Sequence, residues 1–286
     1  MIQSAARLLM SCRDQPGIIA AVTEFLFRHQ ANITDLDQHS MDDGAGQLFM
    51  RLECQFQNPG LSRQEFESQF SEQVAQKLDM NWSCSYAEDR KRAAILVSRH
   101  DHVLLELLWK WSRAALPMDL VCVISNHPDL EDQVSHFDVP FHTIEVQAGN
   151  KDKTEQRILE LIEGKVDLVI LARYMQILSE DFVGRFPNRI INIHHSFLPA
   201  FVGADPYRQA YDRGVKIIGA TSHYVTAELD AGPIIEQDVR RITHRHGIAD
   251  LKAIGQDLER NVMVRAVKWH LEERIMVDGC RTVVFA

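Results

Sequence analysis

The pattern in which apolar residues recur along this chain changes near residue 90, and the change limits the folds that the chain can adopt. Before that point, a strictly alternating run indicates a half-buried strand, with its apolar positions at Leu48, Met50, Leu52, Cys54 and Phe56. A run that repeats every fourth residue then indicates an amphipathic helix, at Phe66, Phe70, Val74 and Leu78. Farther along, apolar strand and helix patterns alternate. The change predicts two different domains.

The first 86 residues predict the order strand, helix, strand, strand, helix, strand. A strand over 7–12 leads through a turn at 14–17 into a helix, a second strand begins at Asn32, and glycines near residue 45 mark a hairpin. Two helices on one face of a four-stranded antiparallel sheet form a ferredoxin-like α+β domain. We therefore assign residues 1–86 to this small domain and the charged segment 87–92 to a linker.

Residues 93–286 predict a larger domain in which strands alternate with helices, as in a parallel α/β sheet. Strands are expected at 93–98, 120–124, 166–171, 189–194, 217–225 and 233–242. Helices are expected near 101–114, 128–136, 152–163 and 248–273. The expected fold class is α/β, a Rossmann-like doubly wound sheet. No G-x-G-x-x-G follows a strand, which argues against a nicotinamide oxidoreductase.

Composition excludes several classes of partner. The formal net charge of -9 argues against nucleic acid. Five cysteines are scattered singly without a C-x-x-C pair, which favours a reducing compartment and predicts a cytoplasmic protein. The N-terminal residues lack the apolar run of a signal peptide, and no later run approaches a membrane span, so no membrane role is expected.

An amide, an imidazole and a carboxylate are predicted to meet beyond the strand at 189–194. Asn192 and His194 are two residues apart and share one face of an extended strand. Asp230 lies in an Asp-Ala-Gly-Pro turn, and loops of this kind often carry catalytic groups. Together these groups suit attack on a carbonyl, in which the amide stabilises an oxyanion and the imidazole moves a proton. His195 is expected to point to the opposite face and to support the site.

Three motifs make the second domain resemble the folate-dependent formyltransferase family: LARYMQILS (171–179), NIHHSFLPAF (192–201) and HYVTAELDAGPIIEQDV (223–239). The resemblance implies that Asn192, His194 and Asp230 are catalytic. It also implies that a folate pterin lies against the backbone of Gln176, Ile177 and Leu178 and against the loop from Val225 to Asp230. His195 and His223 are placed in the same cleft, although a core role for His223 remains an alternative.

The first domain resembles the ACT domain, a module that often binds amino acids and often dimerises. The resemblance rests on the DQPG turn at 14–17 and on ANITDLDQH at 31–39. It implies an amino-acid effector at Asp14, Pro16, Gly17, Asn32 and Ile33, and a homodimer or homotetramer. The alternative is an oligomerisation domain without a ligand, since fold analogy alone does not establish a site.

The formyl acceptor is predicted from the segment VSRHDHVLLELL at 97–108, which contains no glycine. Family members that formylate a phosphorylated amine use a glycine-rich loop here, where backbone amides face the phosphate. Its absence leaves water as the nucleophile, as in the deformylases of that family, which combine this domain with an ACT domain. The expected reaction converts 10-formyltetrahydrofolate to formate and tetrahydrofolate, with Asp230 positioning water and with Asn192 and protonated His194 holding the oxyanion. Transfer to a non-phosphorylated amine is the alternative.

Two further predictions concern charged and metal-binding groups. The pairs His100 and His102, and His244 and His246, lack a ligand framework, so neither a metal nor a cofactor is expected. Asp205 is expected to cap a helix that starts at Pro206, although it could instead repel the folate glutamate tail. Candidate partners for that tail are Arg173, Arg208 or another basic residue.

Overall fold

A computed structural model describes residues 5–41, 46–56, 62–146, 149–199 and 206–286. The chain divides into two compact units. The first consists of Met1–Arg90, Glu272–Met276 and Val283–Ala286, and the second of Lys91–Leu271 and Val277–Thr282. None of the helices in the described residues combines the length and the hydropathy that crossing a membrane requires.

The first unit has the predicted ferredoxin-like order. Its elements are β1 (Ala6–Arg13), α1 (Ile18–Arg28), β2 (Ala31–Met41), β3 (Gln47–Phe56), α2 (Arg63–Phe70) and β4 (Asn81–Tyr86). The described strands form an antiparallel sheet in the order β2-β3-β1-β4. The predicted second helix stripe is buried at Phe66, Phe70 and Val74, but α2 continues as a π-helical turn and a short 3-10 turn rather than as one α-helix.

The C-terminal boundary differs from the prediction that 93–286 forms a single domain, because the chain returns to the first unit. Arg51 is only 1% exposed and donates hydrogen bonds to the backbone carbonyls of Glu272 at 3.2 Å and Glu273 at 2.9 Å. It also pairs with Asp35 at 2.6 Å. A buried guanidinium needs such acceptors, and the returning backbone supplies two of them. The predicted linker is also shorter, since its last two residues begin a strand.

The second unit is built on a larger, mostly parallel sheet. Its first elements are β5 (Lys91–Val97), α3 (His102–Ser112), β6 (Met118–Ser125), α4 (Glu131–Ser135), β7 (Phe141–Thr143), α5 (Lys151–Ile162) and β8 (Leu168–Ala172). The later elements are α6 (Glu180–Gly184), β9 (Ile190–His194), α7 (Pro206–Arg213), β10 (Ile217–Tyr224), β11 (Ile234–Arg241) and α8 (Ile248–Leu271). A short hairpin follows, formed by β12 (Ile275–Asp278) and β13 (Arg281–Val284). All the predicted strands and helices are present.

The strand order positions the site. The described strands of the second unit follow the order β11-β10-β9-β8-β5-β6-β7, with β10 antiparallel to both of its neighbours. The chain runs outward from β5 through β6 to β7 and then crosses back to β8 on the other side of β5. Ligands bind beside such a switch point, at the carboxyl ends of parallel strands. The ends of β5, β8 and β9 are therefore the expected edge for a site.

Candidate active site

Asn192 and His194 lie at the end of β9, and the neighbouring strand β10 brings His223 beside them. β9 and β10 pair with His223 opposite Asn192. The Asn192 amide Nδ2 lies 3.2 Å from His223 Nε2. His223 Nδ1 donates to the backbone carbonyl of Tyr224 at 2.9 Å, which fixes the orientation of the ring. His223 thereby holds the Asn192 side chain in one orientation.

Asp230 faces both imidazoles from the loop that follows β10. Its Oδ2 lies 3.4 Å from His194 Nε2, and its Oδ1 lies 3.6 Å from His223 Nε2. The interaction with His223 lowers the pKa of Asp230 most strongly, and the neighbouring His194 adds to this effect, whereas partial burial opposes it. The carboxyl group is therefore ionised at neutral pH, as a group that orients water or an imidazolium must be.

Close backbone packing fixes the Asp230 loop. Asp230 itself has a left-handed backbone, with φ of 53°. A Cβ at Gly232 would overlap the carbonyl oxygen of Tyr224, so only glycine allows the loop to pass this close to β10. The contact is held by a hydrogen bond from the Tyr224 amide to the Pro233 carbonyl at 2.9 Å.

We expect Gly232→Ala to lower the free energy of unfolding of the second unit by about 1–3 kcal/mol, because the added methyl group overpacks this contact. Urea unfolding would measure the change. Gly184→Ala is the matched control, because a Cβ there meets nothing within 4 Å. Equal unfolding midpoints for the two variants would show that the loop can move aside without cost.

His194 is buried, and its surroundings favour the neutral ring. Ser196 Oγ lies 3.0 Å from its Nδ1. Burial lowers the pKa of His194, while the Asp230 carboxylate opposes this shift. The lowered pKa favours the neutral ring at pH 7, whereas the predicted role of His194 in holding the oxyanion requires the protonated ring. A neutral imidazole can instead accept a proton from a nucleophile.

The loop after β8 forms the second wall of the site and is anchored at both ends. At its start, Ser98 N donates to the Arg173 carbonyl at 3.3 Å, and Met175 N donates to Ser98 Oγ at 3.0 Å. At its end, Ser179 N donates to Glu155 Oε1 at 2.8 Å, and the Ser179 hydroxyl donates to the other carboxylate oxygen. The backbone between these anchors is thus presented as a fixed edge.

A cavity of about 300 Å³ lies between the two loops. It brings together the predicted catalytic residues and all the predicted substrate-binding residues: Asn192, His194 and Asp230, with Gln176, Ile177, Leu178, His195, His223 and Val225. Met175, Ile177 and Leu229 remain more than half exposed. The cavity therefore combines an apolar wall, suited to a flat ring, with one polar end, which is a common design for small-molecule sites.

His195 does not follow the predicted alternation. β9 ends at His194, so His195 lies beyond the extended strand and lines the same cavity, with a distance of 5.2 Å between the two ring centroids. Burial, followed by the charge of Arg173, lowers the pKa of His195 to about 4. His195 is accordingly a neutral wall residue at pH 7 rather than a residue on the far face.

The five residues predicted to hold a regulatory ligand lie at opposite ends of the first sheet. The turn after β1 carries Asp14, Pro16 and Gly17, whereas Asn32 and Ile33 begin β2. Arg13 pairs with Gln47 of β3, and Asn32 pairs with Gln55 of the same strand. The two β3 positions, Gln47 and Gln55, are eight residues apart, roughly 26 Å of strand. The structure does not bring the five residues together within one chain.

The histidine pairs outside the cavity have local partners. His102 Nε2 lies 2.9 Å from Glu259, and His246 Nδ1 accepts from Thr243 N at 2.9 Å. No group of three potential metal ligands occurs within the described ranges of the chain. Asp205 lies outside the described residues, although α7 does begin at Pro206 as predicted.

Comparison with known proteins identifies both units. A profile of the formyl transferase family matches residues 91–267, and an ACT domain profile matches residues 6–69. The chain is 49% identical to the formyltetrahydrofolate deformylase of Bacillus subtilis over 99% of this chain and 94% of that protein. This chain belongs to the formyltetrahydrofolate deformylase family. Another member, from Synechocystis, is 50% identical over 98% of each chain.

A solved structure of the formyltetrahydrofolate deformylase family supports the same assignment. The crystal structure of the member from Pseudomonas syringae superimposes with a TM-score of 0.95 at 42% identity, over 99% of this chain and 95% of that chain. Both units therefore have the architecture of the family, as the motifs predicted. Sequence reasoning missed two supporting residues: Ser196, which lies within the motif at 192–201, and Glu155, which lies outside all three motifs.

Proposed function

We propose that this chain hydrolyses 10-formyltetrahydrofolate to formate and tetrahydrofolate. The observation that carries the proposal is the convergence of Asn192, His194 and Asp230 on one cavity, in a chain related over its full length to deformylases. The hydrolysis serves the balance of the one-carbon pool and supplies formate for purine synthesis. We further propose that the pterin lies against the backbone at 176–178 and that the formyl group points toward Asn192.

The attack step uses the resting charges of the site. Water bound beside the Asp230 carboxylate and neutral His194 attacks the formyl carbon through its oxygen, while His194 Nε2 takes the proton. The Asp230 oxygen 3.4 Å away stabilises the imidazolium that forms. His223 occupies one donor hydrogen of the Asn192 amide, which leaves the other for the oxyanion. Protonated His194 thus arises during the reaction.

Collapse of the tetrahedral intermediate returns the proton. The bond from carbon to N10 breaks, and the imidazolium donates its proton to N10, so that tetrahydrofolate leaves as the neutral amine. The formic acid that remains loses a proton to solvent and becomes formate. One 10-formyltetrahydrofolate and one water are consumed, and one formate, one proton and one tetrahydrofolate are released, with His194 and Asp230 restored.

The start of α3 favours water over a phosphorylated amine as the nucleophile. The segment after β5 has no glycine, and the first residue of α3 is buried, with its imidazole bonded to Glu259 at 2.9 Å. Glu259 also accepts from the Tyr207 hydroxyl at 2.8 Å. Side chains, rather than the backbone amides of a glycine-rich loop, therefore follow the end of β5.

Incubation of the protein with 10-formyltetrahydrofolate alone tests the proposed reaction. We expect stoichiometric formate and tetrahydrofolate without any added amine. If formate appears only after an amine acceptor is added, the protein is a transferase and the proposed hydrolysis is incorrect. Prior treatment with a chelator tests the expectation that no metal is needed, and the rate should not change.

The pH dependence of kcat/KM should show an acid limb. Neutral His194 is required, and its pKa is lowered below 6.5, so the rate should be constant near pH 7 and should fall as the pH drops through that lowered value. Asp230→Asn removes the carboxylate that raises this pKa, and the acid limb of its residual activity should shift to lower pH. A limb that shifts upward would contradict the assignment of His194 as the base.

Three further properties extend the proposal. A small-molecule effector, an amino acid in particular, binds the ACT unit, as the family of that domain suggests. The protein acts as a homodimer or homotetramer. It acts in the cytoplasm, a reducing compartment that its single, unpaired cysteines favour. A thermal shift with each common amino acid, together with sedimentation analysis, would test the effector and the oligomer.

A further inference from the structure

A second cavity lies beside the first, at the switch point of the sheet. Its volume is about 340 Å³. Its walls come from the segments that follow β5 and β8, with His100 on one side and Arg173 on the other, and from α8. Arg173, Met175 and His195 line both cavities. The second cavity therefore adjoins the reacting end of the first without being part of the folate cleft.

Arg173 is the most unusual group on its wall. The residue is only 9% exposed and has a left-handed backbone, with φ of 62°. Its Nε and Nη1 atoms are buried and have no hydrogen-bond partner among the residues that the structure describes. A buried guanidinium without acceptors is costly, so such a group normally meets an anion.

The acid that faces Arg173 is already engaged elsewhere. Glu259 Oε2 lies 3.6 Å from Arg173 Nε, beyond a good hydrogen bond. The same oxygen lies 2.9 Å from His102 Nε2, and the other oxygen accepts from the Tyr207 hydroxyl. Glu259 therefore balances charge but leaves Nε and Nη1 of Arg173 without a hydrogen bond.

The remaining wall groups favour a small anion. Lys252 adds a second positive charge at the cavity. Burial and the charge of Arg173 lower the pKa values of His100 and His195, so neither imidazole is a cation at neutral pH. The charged residues that line the cavity are thus two cations and one carboxylate, an excess of one positive charge.

We propose that this second cavity binds formate, with its carboxylate on the guanidinium of Arg173. The inference rests on the proposed hydrolysis, which generates formate at Asn192 and His194, next to the wall that the two cavities share. Formate then leaves the reacting end through the second cavity while tetrahydrofolate still occupies the first. Formate is the first product released.

Binding of carbon-13 formate, measured by NMR titration without turnover, tests the inference. We expect saturable binding to the free protein and, with similar affinity, to the protein saturated with tetrahydrofolate. Displacement of formate by tetrahydrofolate would overturn the proposal, because it would locate the anion in the folate cavity. Inorganic phosphate is the second probe. If phosphate binds more tightly than formate and displaces it, the cavity is a phosphate site and the proposal is wrong.

Charge variants locate the anion. Arg173→Met should weaken formate binding on the order of tenfold or more, as expected for a lost charge-assisted hydrogen bond. Lys252→Glu, a change at an exposed residue that does not threaten folding, should also weaken it. Lys268→Glu is the matched control on the same helix, away from the cavity, and should bind formate as the original protein does. Equal affinities for all three variants would overturn the proposal.

Failure of the inference can be distinguished from failure of the proposed function. The titration needs no substrate, and the release of formate from 10-formyltetrahydrofolate is measured separately. Hydrolysis with formate binding that is independent of Arg173 would reject only the second cavity. A chain that binds formate but releases none from the folate would reject the hydrolysis instead.

Discussion

Replacing Asn192 or His194 with alanine lowers kcat for formate release by a factor of about 100 to 1000, while tetrahydrofolate binding is retained. Loss of one oxyanion donor costs about 3 kcal/mol of barrier, and loss of the proton carrier costs a similar factor. Both side chains line the polar end of the cavity, away from the exposed apolar rim formed by Ile177 and Leu229. The measurements are steady-state formate release and calorimetric titration with tetrahydrofolate.

Matched controls separate this effect from a general loss of structure. Asn261→Ala and His136→Ala remove the same side chains from exposed positions, where each makes a local hydrogen bond to a backbone carbonyl. Both controls should keep the original rate. Near-normal turnover in Asn192→Ala or His194→Ala would show that another group performs the assigned step.

Glu259→Ala should lower the free energy of unfolding by about 3–5 kcal/mol, the usual cost of leaving a buried charge without its partner. Glu259 is only 1% exposed and is the carboxylate beside buried Arg173. Burial alone would raise the pKa of Glu259, but the hydrogen bond from His102 and the charge of Arg173 lower it overall, so the group is ionised. Urea unfolding would measure the loss.

Two companion variants define the origin of that loss. Glu160→Ala changes an exposed glutamate and should alter stability by less than about 0.5 kcal/mol. Glu259→Gln keeps the shape and some of the hydrogen bonds, and its cost should lie between the other two. If Glu259→Ala unfolds at the same urea concentration as Glu160→Ala, the pair does not stabilise the second unit.

Local patterns explain why so much of the fold could be predicted. The alternation from Leu48 to Phe56 depends only on neighbouring residues, and it became β3. Likewise, the spacing of Asn192 and His194 places both side chains on one face of a strand whatever surrounds it. The three catalytic candidates could be predicted because they lie in contiguous motifs, and those motifs meet at one sheet edge.

Features that depend on distant contacts could not be predicted in this way. The residue at which β9 ends determines where the His195 side chain points, and strand periodicity alone does not predict where a strand ends. Arg173 and Glu259 are 86 positions apart in the chain, and neither is in a pattern that indicates a buried charge. The lowered pKa of His194 arises from burial, which requires the complete packing of the second unit.

The return of the C-terminal residues to the first unit means that this unit is built from separate segments of the sequence. A fragment that stops at residue 90 would lack the Glu272 and Glu273 carbonyls that accept from Arg51, and would lack Val283 and Phe285, which pack with Leu9 and Phe49. Such a fragment would expose apolar surface, and its Arg51 guanidinium would keep Asp35 and Glu53 but lose its two backbone acceptors. Exchange of this module between proteins, in evolution or in the laboratory, therefore requires two junctions rather than one.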